Sequence, residues 1–289
     1  MKFNRKYFCY SITFLAVWIL SACGEGKSNI NAKAIPNNDT MSNVVDNKVV
    51  AKMKIEVWSD IMCPFCYIGK RHYEQALKQF PDSDHVEIVW KSFQLDPDIP
   101  TSFDTKVNVY KYLAERKGIS YEQSVAMHQN VVNMAKAAGL DYHFDKVVVA
   151  NSFNAHRLIQ LAKSKGKGDE IEERLFHAYF TEGKDCGDVK VLTELGLSIG
   201  LTSSEVQEAF SNDEYAYRVK QDIHEADSIR VSGVPFFVFD RKYAVSGAQP
   251  AEVFLSTLTK SFAEWRKNNP VAKLEVSNGP ACTPDKECK

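Results

Sequence analysis

The apolar residues of this chain follow two different periods, and the change between them predicts the order of the secondary-structure elements. Residues 53–58 and 85–93 are short runs typical of β-strands, and residues 67–80 between them have the spacing of an amphipathic helix. From residue 104 to residue 228 the pattern is helical almost throughout. Seven helices are predicted there, at residues 106–116, 121–138, 151–163, 169–181, 189–199, 203–211 and 214–229.

Strand character returns after this helical block. Residues 234–239 and 243–245 flank a three-residue turn, which predicts a β-hairpin. Pro250 then opens a last amphipathic helix that ends at about residue 267. The predicted order is strand, helix, strand, helical block, hairpin and helix.

Two cysteines stand where the first strand gives way to the first helix. The motif Cys63-Pro64-Phe65-Cys66 places two thiols so that they can close one small disulfide ring and reopen it. A helix N-terminus stabilises a thiolate, and Pro64 suits a first helical turn because an N–H there would have no partner. Cys63 is therefore expected to be the exposed nucleophile, and Cys66 the shielded resolving thiol.

Two other interpretations of this cysteine pair stay open. A plain structural disulfide gains little from closing so short a loop. A zinc site would need two more ligands. Cys282 and Cys288 could supply them, but their spacing is unusual for zinc. We therefore expect no metal.

The N-terminus has the pattern of a targeting segment. Basic residues precede an apolar run at residues 8–20, which is shorter than the ~20 residues that a membrane-spanning helix needs. The sequence Leu20-Ser21-Ala22-Cys23 then resembles a bacterial lipobox, in which Cys23 is lipidated. An ordinary signal peptide and a short uncleaved anchor are the alternatives. Because Gly24 follows the cysteine, the usual sorting pattern favours the outer membrane.

Composition and charge narrow the class of protein. The chain of 289 residues has the apolar and charged fractions of a globular protein, 44% and 25%. Loss of residues 1–22, which contain three basic and no acidic residues, would take the net charge from −1 to −4. A mildly acidic chain without a long basic run is a poor nucleic-acid binder, so no nucleic-acid partner is expected. An exported chain also lives where disulfides persist.

Four segments carry a resemblance to a known family. Residues 59–70, which include the cysteine pair, resemble the active-site segment of the FrnE branch of the DsbA family. Residues 151–158, 180–183 and 233–237 are similar to other segments of that branch. The resemblance covers residues 53–268 and implies an α/β thioredoxin fold with a large all-helical insertion.

The expected domain organisation follows from the pattern and the resemblance together. It consists of a lipoprotein signal peptide at residues 1–22, a flexible tether at 23–51, a thioredoxin-like domain built from 52–103 and 229–268, an inserted helical domain at 104–228, and a C-terminal tail at 269–289. A client groove is expected between the helical insertion and the thioredoxin-like part.

The resemblance also implies a function. The protein would exchange disulfides with envelope protein thiols through a mixed disulfide on Cys63, facing the periplasm from its lipid anchor. The Val234–Pro235 bond would be cis, in a loop that faces Cys63 and binds the client through Gly233 and Val234. No metal or organic cofactor is implied, although glutathione is a candidate redox partner. The client proteins and the electron partner stay unknown.

Residues around the cysteines are expected to tune the chemistry. Pro64 and Phe65 lie between the two thiols, and Phe65 neither donates a hydrogen bond nor carries charge. We therefore expect a reduction potential less oxidising than that of DsbA, which has Pro-His there. Asp60 is either a capping or proton-handling group or a solvated loop acid.

The remaining cysteines have separate interpretations. Cys282 and Cys288 form either a second redox pair that exchanges with the first or a local disulfide of the tail. Cys186 is expected to be an unpaired, modestly reactive or buried thiol, and an intermolecular link is the alternative. His156, on an apolar helix, is expected to be structural.

Two rival functions complete the expectations. The same branch resembles glutathione-dependent isomerases of the 2-hydroxychromene-2-carboxylate type and kappa-type glutathione transferases, which typically have Ser at the nucleophile position. The presence of both cysteines argues against that function. The other rival is a metal-binding or scaffolding lipoprotein.

Overall fold

The computed structural model describes residues 51–101 and 107–270. The expected signal peptide and the expected C-terminal tail lie outside the described residues. The same holds for nearly all of the expected tether, and so for Cys23, Cys282 and Cys288. Among the described helices, none is both long enough and apolar enough to span a membrane.

A four-stranded mixed sheet forms the centre of the thioredoxin-like part. Its strands are β1 (Met53–Ser59), β2 (Val86–Ser92), β3 (Phe236–Phe239) and β4 (Tyr243–Ser246), in the order β2-β1-β3-β4. β1 runs parallel to β2 and antiparallel to β3, which pairs with β4 as a hairpin. β1 is buried on both faces over most of its length, as its central place in the sheet requires.

Nine α-helices accompany the sheet within the described residues. They are α1 (Pro64–Gln79), α2 (Val109–Lys117), α3 (Tyr121–Ala137), α4 (Phe153–Ser164), α5 (Gly168–Phe180), α6 (Val189–Ser198), α7 (Ser203–Ser211), α8 (Asp213–Ser228) and α9 (Ala251–Asn268). α2 to α8 form the helical insertion between β2 and β3. The predicted thioredoxin fold with a helical insertion is therefore confirmed.

The predicted ends of the elements are correct to within three residues. The largest shift that bears on the site is in α1, which begins at Pro64 and not at Tyr67. The apolar spacing was counted from Tyr67, whereas the helix starts at the proline, a residue typical of a first helical turn. A short 3₁₀ helix, Ser83–His85, was not predicted.

The helical insertion packs on the sheet through a buried polar junction at Asp222 of α8. Its carboxylate accepts hydrogen bonds from the backbone N–H of Ser92, at 3.0 Å, and from the Gln160 amide, at 2.6 Å. The Lys91 ammonium donates to it at 3.0 Å. Because Ser92 ends β2 and Gln160 lies on α4, one carboxylate fastens two insertion helices to the sheet.

Aromatic rings join α1 to the insertion next to the cysteine motif. The Tyr67 ring of α1 stacks on Phe176 of α5 with centroids 4.9 Å apart. Tyr142 stacks on Phe180, also of α5, at 4.5 Å. These rings belong to one hydrophobic core that includes both β1 and the insertion helices. The first turn of α1 therefore packs against the insertion through Tyr67 and belongs to the same core as β1.

Candidate active site

Cys63 is the N-cap of α1, and the loop before it is closed by backbone hydrogen bonds. Its N–H donates to the Asp60 carbonyl at 2.9 Å, and its own carbonyl accepts from the Cys66 N–H at 3.0 Å. Pro64 is the first helical residue. The sulfur of Cys63 thus lies at the positive end of the helix dipole, where a thiolate is stabilised.

The expectation that Cys63 is exposed is wrong. Only 4% of Cys63 is accessible, against 0% of Cys66. The loop before Pro235 covers Cys63, since the Cys63 thiol donates to the Val234 carbonyl at 3.4 Å. What distinguishes the two thiols is that Cys63 opens onto a cavity, whereas Cys66 faces the core.

The Val234–Pro235 bond is cis, as the resemblance implies. Its loop faces Cys63 through the contact with the Val234 carbonyl. α1 approaches this loop closely at Gly69, where an added Cβ would come within 3.0 Å of the Pro235 ring. A glycine at this position lets the helix that presents Cys63 pack against the proline.

The Cys66 thiol ionises less readily than an ordinary cysteine. Burial raises the pKa of the Cys66 thiol well above its ordinary value, and the neighbouring Cys63 raises it further. The backbone of Asp60 and the Ser59 hydroxyl partly oppose this shift. Cys66 is therefore a protonated thiol in the reduced pair, and Cys63 is the group suited to be the nucleophile.

Asp60 is a buried structural acid, so the interpretation as a solvated loop acid is wrong. It is 0% exposed, and its two carboxylate oxygens accept hydrogen bonds from the backbone N–H groups of Met62, at 3.2 Å, and Leu95, at 2.7 Å. The capping interpretation fits this geometry. Asp60 thus joins the loop of Cys63 to the segment that follows β2.

Pro64 and Phe65 lie at the mouth of the site. Phe65 is 37% exposed, and the Pro64 carbonyl accepts a hydrogen bond from the Tyr142 hydroxyl at 2.8 Å. Tyr142 precedes α4, so the insertion contributes directly to the geometry of the motif. No pattern in the sequence indicates this contact, because Tyr142 lies in a loop far along the chain.

A largely apolar cavity of about 550 Å³ opens beside Cys63. Its wall on the thioredoxin-like side includes Phe65, Gly233 and Val234. Its wall on the insertion side comes from α2, α3 and the end of α5, with Tyr112, Met127, His128 and Phe180. The expected groove between the two parts therefore lies next to the sulfur that would react.

Three buried polar residues behind Cys66 had not been expected to matter together. Ser59, His156 and Glu172 are at most 2% exposed and come from β1, α4 and α5. One signal in the sequence points to Glu172, because it lies among Ile171, Leu175 and Phe176 on the apolar face of α5. An acid on an apolar helix face is a candidate functional group.

Two other predictions concern residues away from this site. Cys186 is a buried thiol that pairs with no other cysteine of the described residues, and burial raises its pKa, which makes it a weak nucleophile. Within residues 51–101 and 107–270, no cluster of His, Cys, Asp and Glu is arranged to hold a metal ion.

Comparison with known proteins identifies the family. The family model for the DSBA-like thioredoxin domain matches residues 54–259, well over half of the chain. The chain belongs to the DSBA-like thioredoxin domain family.

Individual relatives of this DSBA-like chain agree with that assignment. The structure of a probable DsbA oxidoreductase from Streptomyces coelicolor is 38% identical, with a TM-score of 0.68, and covers 82% of this chain and 98% of its own. The uncharacterized protein YwbO of Bacillus subtilis is 27% identical over 202 residues, which are 69% of this chain and 92% of YwbO.

More distant structures share the fold. A putative protein disulfide isomerase from Nitrosomonas europaea is 15% identical, with a TM-score of 0.57, and covers 74% of this chain and 98% of its own. A 2-hydroxychromene-2-carboxylate isomerase is 16% identical, with a TM-score of 0.51, and covers 76% of this chain and 100% of its own. The thioredoxin fold with a helical insertion is thus shared by several kinds of enzyme.

Proposed function

We propose that this protein is a thiol–disulfide oxidoreductase that exchanges disulfides with protein thiols through Cys63 and Cys66. One observation carries the proposal. Cys63 caps the N-terminus of α1 and contacts the cis-proline loop, while Cys66 is buried beneath it. Membership of the DSBA-like family supports thiol–disulfide chemistry in general.

The oxidising direction uses the Cys63–Cys66 disulfide as the electron acceptor. A client thiolate attacks the Cys63 sulfur, the bond between the two cysteines breaks, and Cys66 leaves as a thiolate that takes up a proton. A second client thiolate attacks the client sulfur of the mixed disulfide and displaces Cys63. Two electrons pass from the client to the pair, and the client gains a disulfide.

The reducing direction is the same path reversed. The Cys63 thiolate attacks a client disulfide, and Cys66 then displaces the client from Cys63. The cavity beside Cys63 and the exposed ring of Phe65 would bind apolar side chains of an extended client segment, with Gly233 and Val234 pairing to its backbone.

The cellular setting is part of the proposal. The basic and apolar N-terminal pattern and the cysteine at position 23 support a lipoprotein of the bacterial envelope that faces the periplasm, with the outer membrane favoured. The motif segments support the FrnE-like branch. Cys282 and Cys288 would be either a second redox pair that exchanges with Cys63 and Cys66 or a local disulfide of the tail. Glutathione or an unknown protein would be the electron partner of the enzyme.

Turnover of a model client tests this function. The purified protein should oxidise a reduced peptide with two cysteines, or reduce insulin in the presence of a thiol, and Cys63→Ser should abolish both. Cys186→Ser is the matched control and should leave turnover unchanged, because Cys186 is buried away from the motif. No turnover in either direction by the unmodified protein would contradict the proposal.

Measurements of glutathione binding and of zinc content, made beside the turnover assay, separate the two rival functions. Binding of glutathione without exchange with protein thiols would favour a glutathione-dependent isomerase or transferase. One zinc ion per chain that is lost on Cys282→Ser would favour a metal-binding lipoprotein.

A further inference from the structure

Helix α2 lies beside the cavity that opens at Cys63, and only its first turn packs on the hydrophobic core, through Val109 and Tyr110. Ala114 is the one buried residue of the helix. The second half of α2 borders the cavity through Tyr112, Leu113, Arg116 and Lys117. This half therefore lacks the apolar packing that usually holds a helix in place.

Asp96 makes the polar contacts that hold the second half of α2. Its carboxylate accepts hydrogen bonds from the Tyr112 hydroxyl and from the Arg116 guanidinium, which also donates to the Leu95 carbonyl at 2.7 Å. Asp96 is only 7% exposed, and hydrogen bonds to an ionised group are stronger than those between neutral groups. Because Tyr112 and Arg116 are one helical turn apart, one carboxylate fixes the face of α2 that borders the cavity.

The segment that carries Asp96 is itself held to the rest of the molecule. The Leu95 N–H donates at 2.7 Å to the Asp60 carboxylate, which also holds the loop before the cysteine motif. Just before α4, the Asn151 amide donates to the Ile99 carbonyl at 2.6 Å. The second half of α2 is therefore fixed relative to the cysteine motif through this segment.

The contacts of Asp96 with Tyr112 and Arg116, called here the Asp96 clasp, keep the two walls of the cavity apart. The cavity has a volume of about 550 Å³ and a largely apolar lining. Protein interiors are close-packed, and apolar side chains that border a cavity forgo the contacts they would make with each other. A large apolar side chain of a client would supply those contacts to both walls.

We propose that Asp96 is a positioning residue for the client site, which keeps α2 at the distance from Cys63 that admits a large apolar side chain next to the client cysteine. This role rests on the proposed exchange function. Asp96 acts through Tyr112 and Arg116, whose side chains border the cavity. The preferred clients are then segments with a residue such as phenylalanine beside the reactive cysteine, because a small polar residue there would bury less apolar surface.

Two reduced dithiol peptides test this role on the oxidised protein. They are identical except for Phe or Ser beside the first cysteine, and the rate of exchange at rising peptide concentration gives the half-saturating concentration and the limiting rate separately. The unmodified protein should half-saturate at a roughly tenfold lower concentration of the Phe peptide than of the Ser peptide. Asp96→Ala should raise the value for the Phe peptide by roughly tenfold and leave the limiting rate and the value for the Ser peptide unchanged.

A matched variant and a second measurement control for effects outside the client site. Asp98 is an exposed acid of the same segment, so Asp98→Ala should leave all these values unchanged. In the reduced protein, alkylation of Cys63 by iodoacetamide should have the same rate in Asp96→Ala as in the unmodified protein. Equal rates would show that the substitution changes the client site and not the reactivity of the sulfur.

Two milder variants keep the test decisive if Asp96→Ala does not fold. Tyr112→Phe loses one hydrogen bond but keeps its ring on the cavity wall. Arg116→Lys keeps its charge but lacks the planar fork that bonds both the carboxylate and the Leu95 carbonyl. Each should raise the half-saturating concentration of the Phe peptide, and hydrogen exchange should quicken at the amides in the second half of α2 but not at those of α4.

The outcomes separate the role of Asp96 from the function on which it rests. If the unmodified protein exchanges disulfides with neither peptide, the exchange function itself is wrong. If it exchanges with both but does not prefer the Phe peptide, or if Asp96→Ala keeps that preference, only the positioning role is overturned. An equal loss with both peptides, together with slower alkylation of Cys63, would show that Asp96 serves stability alone and would also overturn that role.

Discussion

At the scale of single residues, Glu172 is only 1% exposed, and its carboxyl group has no hydrogen-bond partner within the described part of the chain. Its pKa is raised from an ordinary 4.5 to about 7, chiefly by burial. Between these two pH values the folded chain holds a proton that the unfolded chain has lost. Stability is therefore expected to fall as the pH rises from 4.5 to 7, and to stay low above that.

This fall in stability with rising pH gives a prediction for Glu172→Gln. The neutral amide removes the need to ionise a buried group, so the variant should be more stable than the unmodified protein above pH 7, by roughly 3 kcal/mol. Near pH 4.5 the two stabilities should converge. Denaturant unfolding at several pH values measures this difference, with Glu170→Gln as the control. A constant difference at all pH values would show that the carboxyl group titrates normally.

Phe65 supports a prediction for the redox chemistry. It lies between the two cysteines and cannot donate a hydrogen bond to a thiolate, whereas a histidine can both donate and carry charge. Phe65→His should therefore stabilise the Cys63 thiolate and make the protein more oxidising. Equilibration with glutathione measures the potential, and Phe65→Leu is the apolar control that should leave it nearly unchanged. If the reduction potential of Phe65→His is unchanged or more reducing, this explanation of the role of Phe65 is wrong.

At the scale of elements, the close approach of α1 to the cis-proline loop positions Cys63 against the Val234 carbonyl. An added Cβ at Gly69 would come within 3.0 Å of the Pro235 ring and 3.5 Å of the Ala248 Cα. The contact with Ala248 is an ordinary one, but the contact with the stiff proline ring is too tight, so α1 has to shift away from the ring by a few tenths of an ångström. Gly69→Ala should therefore lower the stability by about 1 kcal/mol, despite the better helix propensity of alanine, and slow client exchange.

A neighbouring substitution controls for the helix itself. Gln75→Ala introduces the same residue at an exposed position of α1 and should leave stability within about 0.5 kcal/mol and exchange unchanged. Stability comes from denaturant unfolding, and exchange from turnover of a dithiol peptide. Full activity of Gly69→Ala would mean that the contact with Pro235 does not position Cys63.

The elements themselves could largely be predicted, because apolar period, glycine stops and the hairpin turn are local properties of the sequence. The fold was implied by the resemblance of four segments to a known family, with which the order of the elements agrees. The start of α1 was placed three residues late because the apolar spacing was counted from Tyr67, although Pro64 itself is typical of a first helical turn. The loop at Val234 was expected to face Cys63, but the exposure of Cys63 was misjudged because the Val234 carbonyl lies within 3.4 Å of the sulfur and covers it.

At the scale of the whole molecule, the site is built by parts that are distant in sequence. Ser59, His156 and Glu172 meet only because α4 and α5 pack on the sheet, and Asp222 fastens that packing. A single sequence contains no record of which helices meet, so neither the cluster nor the contact of Tyr142 with Pro64 could be predicted. The cysteine motif was visible from the sequence because all its parts are local.

The core shared by the two parts also makes the insertion a part of the site. Aromatic stacking of Tyr67 on Phe176 and of Tyr142 on Phe180 joins α1 to the insertion beside the motif. The cavity next to Cys63 therefore has one wall from each part of the molecule. Client choice would depend on the insertion, and electron transfer on the thioredoxin-like part.

Trapping of mixed disulfides with Cys66→Ala tests most directly whether Cys63 exchanges disulfides with protein clients. Without Cys66 the adduct on Cys63 cannot be resolved, so expression in the cell should accumulate thiol-sensitive adducts that migrate more slowly on a non-reducing gel. Mass spectrometry should place the linkage at Cys63, and the double variant Cys63→Ala with Cys66→Ala should show no adduct through this motif. Complete absence of adducts from Cys66→Ala, in a folded protein with a free Cys63 thiol, would contradict the proposed function.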